Sequence, residues 1–257
     1  MRKQLIAVLL FMVGSLNIAA QEYKMNVSDK NGKLVIYLSN SHIKVSGYDG
    51  NELVISARGF EAPPQRAEGL KALYNTAVDN TGIGLSVIES SGEIKIDKAS
   101  REDVDYTIKI PQSMSLHINE TNWNGGDFNV ENIAGEIEIE AKGSDIVIEK
   151  AQGPIVANTT NGDITITYAS LNQEKPNAIK SVNGHVDVTI PSNAKSDIKL
   201  RAMNGEVYTN FDIAFNGGGD GTHRIGGGGK IEGKINGGGV EFQLNTINDN
   251  IYLRKAE

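Results

Sequence analysis

Asp127, Asp145 and Asp163 stand eighteen residues apart, each directly before an aliphatic or aromatic residue. If that interval is one winding of a coil, the three carboxylates share an edge, ~4.8 Å between neighbours. Such a row has the donors for calcium, which takes six to eight oxygen ligands. Left to water, it costs ~0.9 kcal/mol of repulsion per neighbouring pair, which a solvated edge tolerates and which discourages sheet-to-sheet association. The calcium nonapeptide of toxin repeats sets its acid behind paired glycines and not directly before the aliphatic residue. The different register here favours the solvated edge.

Two carboxylates can also cleave a sugar as acid and base, and Glu136, Glu138 and Asp163 are the nominal candidates. Nearly every repeat offers similar acids, however, and the single tryptophan, Trp123, reads better as a packing or turn residue than as a sugar platform. His42, His117, His185 and His223 are scattered without metal-ligand spacing and read as exposed strand or turn residues. No serine lies in a Gly-x-Ser-x-Gly elbow. The glycine runs at Gly217 to Gly219, Gly226 to Gly229 and Gly237 to Gly239 lack the Lys-Ser/Thr of a phosphate loop, so they read as loops or coil corners. The expectation is therefore no catalytic residue, no cofactor and no metal ligand.

What must position these side chains is a ladder of strands. Leu34 to Leu38, Ile43-Lys44-Val45, Ile94-Lys95-Ile96 and Tyr106 to Ile110 alternate apolar with polar residues between turn-forming ones. From residue 126 the alternation becomes a repeat, whose first apolar positions are 128, 137, 146, 155 and 164. Nine residues hold a strand of about five and a tight turn, with Asn-Gly or a similar pair supplying positive φ at the corner. Gly184 to Val188 and Gly205 to Tyr208 continue the pattern at steps of 22 and 21. The reading is a coil of two strands, 18–22 residues long. One sheet would carry 128, 146, 164, 186 and 207, and the other 137, 155, 179 and 198.

One such coil cannot fold alone. About four buried aliphatic side chains return ~1.5–3 kcal/mol each, whereas ordering ~18 residues costs about 1–2 kcal/mol apiece. Neighbouring coils must supply the rest, and the ends need covers. The alternative, a β-sandwich with strands at similar spacing, gives no reason for register and side-chain type to repeat at nine residues. The fold class is thus all-β: a β-solenoid of two sheets, with irregular N-terminal strands. One short helix is expected near residues 64–75, where Leu70, Leu73 and Tyr74 would share a face after Pro63-Pro64.

The first twenty residues read as an address. Arg2 and Lys3 precede the apolar run Leu5 to Val13, and Ala19-Ala20 precede polar Gln21-Glu22, the layout of a secretory signal peptide. The run is far short of the ~20 residues that cross a bilayer. Residues 21–257 then form a single exported domain in the periplasm, at the cell surface or secreted, with no transmembrane segment. In all, 257 residues with 39% hydrophobic content can bury a core. The absence of cysteine excludes disulfides, a thiol nucleophile and lipidation at an N-terminal cysteine. A formal charge of −7 argues against nucleic acid as partner.

Gly135 to Ile139, Thr160 to Ile164 and Val182 to Val186 resemble the bacterial putative-adhesin family of unknown function, described as β-strand-repeat proteins. So do Ile235 to Val240 and Thr246 to Lys255. His185 stands where an acid is usual, and Asn250 replaces the final glycine. The resemblance implies a β-solenoid, an exported or envelope location and no established catalytic residues. The expected role is a non-enzymatic envelope scaffold binding a partner such as a glycan or surface protein, with a carbohydrate-active enzyme and a calcium-dependent adhesion module as alternatives.

Overall fold

Alternating side chains become strands because one face of each can be buried, and here almost every repeat does so. The computed structural model describes residues 21–70, 72–75, 77–123, 125–215 and 229–257. The expected leader (1–20), His223, Gly217 to Gly219 and Gly226 to Gly228 lie outside them. The described chain is all-β, in two sheets. The first has the order Gln21–Asn26, Glu52–Arg58, Asp105–Pro111, Ile43–Tyr48, Phe128–Glu131, Ile146–Ala151, Ile164–Tyr168, Val186–Ile190, Ile251–Lys255, Val207–Thr209. The second runs Ala214–Phe215, Ile231–Ile235, Ser196–Ala202, Val240–Thr246, Asn177–Ser181, Ile155–Thr159, Ile137–Glu140, Ser115–Glu120, Lys33–Leu38, Glu93–Lys98, Leu85–Ser90.

Successive nonapeptides alternate between the sheets, so each winding lays one strand in each and pairs in parallel with the next. Phe128, Ile146, Ile164, Val186, Ile251 and Val207 form one inner column, in register throughout. Its first five members are at most 1% exposed. In the second sheet Leu116, Ile137 and Ile155 line up, and Phe242 pairs with both Asn177 and Ile198. Ile179 and Ile198 face this core as expected, but in neighbouring rows: Ile179 aligns with Ala157 and Leu244. The slip arises because polar Asn177 takes the inward place level with Ile155.

The order of coils departs from the order of the chain at both ends. Lys33–Leu38 and Ile43–Tyr48 lie between the 93–111 winding and the 115–131 winding. The last winding, Val240–Thr246 with Ile251–Lys255, slides between the 177–190 and 196–209 windings. Antiparallel strands finish the stack: Gln21–Asn26, Glu52–Arg58 and Leu85–Ser90 at one end, Ile231–Ile235 and Ala214–Phe215 at the other.

The expected helix shrinks to one 3-10 turn, Gln65–Ala67. Gly69 at φ +77° turns the backbone out of the right-handed path, and Leu70, Leu73 and Tyr74 stay exposed and do not form a packed face.

Three Asn-Gly corners differ from expectation, while Asn236-Gly237 supplies positive φ as expected. Gly162, Gly184 and Gly205 are not among the positive-φ residues. A Cβ there would strike the carbonyl of the adjacent winding: Ser144, Gly162 and Asp249 respectively. These glycines are required by close stacking, not by handedness.

Candidate functional site

The aspartate row falls on one edge, as its spacing requires, and its side chains tie one coil to the next. Asp145 Oδ1 accepts the backbone N–H of Asp163 at 2.8 Å, and Asp163 Oδ1 accepts that of His185 at 2.9 Å. His42 Nδ1 does the same for Asp127, and Asn250 Oδ1 for Glu206. Each residue sits just before a strand, where the next winding's N–H points at it. The row is thus a capping device with a structural use of its own.

Behind it run two more ladders. Asn183 donates to Asn161, Asn248 to Asn183 and Asn204 to Asn248, all side chain to side chain at 2.6–2.9 Å. Inside, Ser181 Oγ donates to the Gly162 carbonyl and accepts the Gly184 N–H, both at 2.9 Å. Thr159 and Thr246 hold similar places. Glu120, 1% exposed, is spent the same way: its carboxylate accepts from Lys142 N, Gly143 N and Ser144 Oγ.

Glu136 and Glu138 line a groove of about 650 Å³ on the second sheet, with Lys33, Glu93, Pro154 and Lys175. Glu136 is ion-paired with Lys175, and Glu138 lies 3.8 Å from Lys33 and 3.6 Å from His117 Nδ1. Asp163, the third nominal acid, is on the turn row and does not line this groove. Trp123 is a turn residue, 60% exposed.

A second cavity of about 500 Å³ contains Tyr37, Asn75, Lys98 and Arg101. Lys98 is buried, and its Nζ donates to Ser39 O, Asn40 O and Ser41 Oγ at 2.8–2.9 Å. Burial lowers its pKa to about 8 against the opposing pull of Asp103 and Glu102.

The last winding creates an aromatic surface on the outer face of the first sheet. Tyr208 and Tyr252 are cross-strand partners with rings stacked at 5.4 Å and 12°. Arg254 lies 5.2 Å over the Tyr252 ring and grips Asp187 with two nitrogens at 2.8–3.1 Å, so the carboxylate holds the guanidinium charged and in place. Beside them, His185 meets Tyr252 edge-on, and its Nδ1 is 3.0 Å from Asp163 Oδ1. Asp249 completes a group with Asp163 and His185.

The family described as Toastrack DUF4097 matches residues 8–253. The chain belongs to the Toastrack family. No curated protein matches this sequence significantly. Among solved structures, it is similar to one described as a putative cell adhesion protein from Clostridium sporogenes. That match has 12% identity and a TM-score of 0.49, covering 92% of this chain and 100% of that one. A structure described as a putative adhesin from Bacteroides fragilis also matches at 12% identity, with a TM-score of 0.30 over 91% of this chain and 96% of that one.

In this Toastrack chain the acids singled out by sequence spacing prove structural or paired, while the aromatic cluster escaped sequence reading. Tyr208 and Tyr252 are 44 residues apart and meet only because the last coil inserts beside Val207–Thr209. Their one sequence signal was the shared place after the strand's first apolar residue, Val207 and Ile251.

Proposed function

We propose that this Toastrack protein is an exported, non-enzymatic envelope scaffold that binds a surface partner, a glycan or a protein, through the outer face of the first sheet. The observation that carries this reading is the Tyr208–Tyr252 stack with Arg254 and Asp187 beside it, where Tyr208 is 51% exposed. Aromatic faces beside a fixed guanidinium offer sugar C–H surfaces or a protein side chain both packing and hydrogen bonding. Among the described residues the interior between the sheets is filled by buried apolar side chains. Among the described residues no helix is long and apolar enough to cross a membrane, and the Arg2-Lys3 start with its apolar run supports export. The groove acids Glu136 and Glu138 have lysine neighbours, which gives the enzyme reading little support.

The test is retention of the purified protein on immobilised envelope polysaccharides and envelope protein fractions, with reducing-end release measured in parallel. Expected is retention without release, weakened at least tenfold in the Tyr208→Ala, Tyr252→Ala double variant. Release of reducing ends, or equal retention of the double variant, overturns the proposal.

A further inference from the structure

We propose that Asp163, His185 and Asp249 form a binding site for one divalent transition-metal cation, with zinc as its best match. Asp163 and His185 stand at the turn row on the windings of Ile164–Tyr168 and Val186–Ile190, and Asp249 lies one place before that row on the next winding, that of Ile251–Lys255, beside Asn250. One imidazole nitrogen and two carboxylate oxygens lie within 4.8 Å of one another. Around a tetrahedral zinc with bonds of ~2.0–2.2 Å, ligand atoms are about 3.3–3.6 Å apart. His185 Nδ1 and Asp163 Oδ1, at 3.0 Å, need part only by a few tenths of an ångström, and Asp249, within 4.8 Å of both, need close by no more than about 1.5 Å to reach that spacing.

Charge supports the same reading by a separate route. Asp187 pairs with Arg254, Glu131 with Lys150 and Glu241 with Lys199. Among the described residues Asp163 and Asp249 pair with no lysine or arginine, although they share one imidazole. Two carboxylates held together without a cation repel each other, and a divalent ion would remove that cost. All three residues are half-buried, which leaves a fourth position open to water, as in three-ligand zinc sites. The edge of the Tyr252 ring braces the imidazole at 6.2 Å and 79°. The nitrogen donor favours a transition metal over calcium, which prefers an all-oxygen shell. His185, the departure from the acid usual at this turn, is thus the residue that gives the row its metal chemistry.

Untagged protein titrated with zinc chloride should bind one zinc per chain in calorimetry, with a rise in melting temperature that calcium chloride does not reproduce. His185→Ala and Asp249→Asn should each weaken binding at least tenfold, while His42→Ala, at the equivalent turn beside Asp127, should not. Asp163 is left unaltered because it caps His185 N. Binding should weaken as pH falls, since the ligand imidazole must be neutral. In the wild type, histidine NMR signals supply a readout that needs no variant to fold: zinc should shift His185 first. The absence of saturable zinc binding, unchanged affinity in both variants, or loss of binding only in His42→Ala overturns the site. Partner retention by the tyrosine face is measured without zinc, so either proposal can fail alone.

Discussion

Lys98 shows how a single buried charge can be held without a carboxylate partner. Its ammonium fastens the 39–41 corner of one winding to the neighbouring Glu93–Lys98 strand through two carbonyls and the Ser41 hydroxyl. Lys98→Met strands those acceptors and should cost about 1–3 kcal/mol at pH 7, read as a lower urea midpoint with unchanged slope. The sign of the pH effect follows from the depressed value. The folded chain releases this proton near pH 8 and the unfolded chain near 10.5. Between those values the unfolded state binds more protons, so wild-type stability rises with pH relative to the variant. Urea titrations of both proteins from pH 7 to 11 should show the gap widening across that window, and a constant gap would refute the shift. Nothing in the local sequence Ile96-Asp97-Lys98-Ala99 marks this lysine as buried, because its acceptors lie almost sixty residues earlier.

At the level of the winding, the nine-residue spacing was enough to assign strands to sheets, because strand length and turn length are both local. The inner column through 128, 146 and 164 is what that period requires, and 186 joins it after a 22-residue step. Side-chain roles at the corners were not legible, because they depend on the neighbouring coil. At the Gly162, Gly184 and Gly205 corners the glycine expected for its positive φ is a steric requirement, and Asp145 and Asp163, read as a solvated edge, also cap the next winding. Gly184→Ala separates the two accounts of the corner. Its Cβ would run into the Gly162 carbonyl, so the windings must part, at a cost of about 1–3 kcal/mol as for other overpacked sites. Gly237, at φ +89° with open space around it, provides the comparison. Alanine there incurs backbone strain alone, ~1–2 kcal/mol. Amide exchange should distinguish them: Gly184→Ala should loosen the N–H groups of both the 162 and 184 corners, and Gly237→Ala only its own turn.

For the whole molecule the decisive feature is insertion of the last winding between two earlier ones, which no periodicity could reveal. It has a thermodynamic consequence. A solenoid wound in chain order can lose its terminal coil and keep the rest, since each coil contacts only its neighbours. Here residues 240–255 are the neighbours of both the 177–190 and the 196–209 windings. Phe242, Leu244, Ile251 and Leu253 are wholly buried there. At ~1.5–3 kcal/mol each they contribute about 6–12 kcal/mol, comparable with the ~5–15 kcal/mol that holds a typical domain together. Cutting the chain after Gly239 should therefore do more than shorten the stack. Val186–Ile190 and Val207–Thr209 would each lose a parallel partner, and their strand edges would become sites for association. The expected product aggregates or unfolds without a cooperative transition. Adding residues 240–257 back as a separate peptide should restore a cooperative melt, because the gap between the two windings matches that peptide. A truncated chain that melts as sharply as the intact one, without the peptide, would show that the last coil is an appendage and not a keystone.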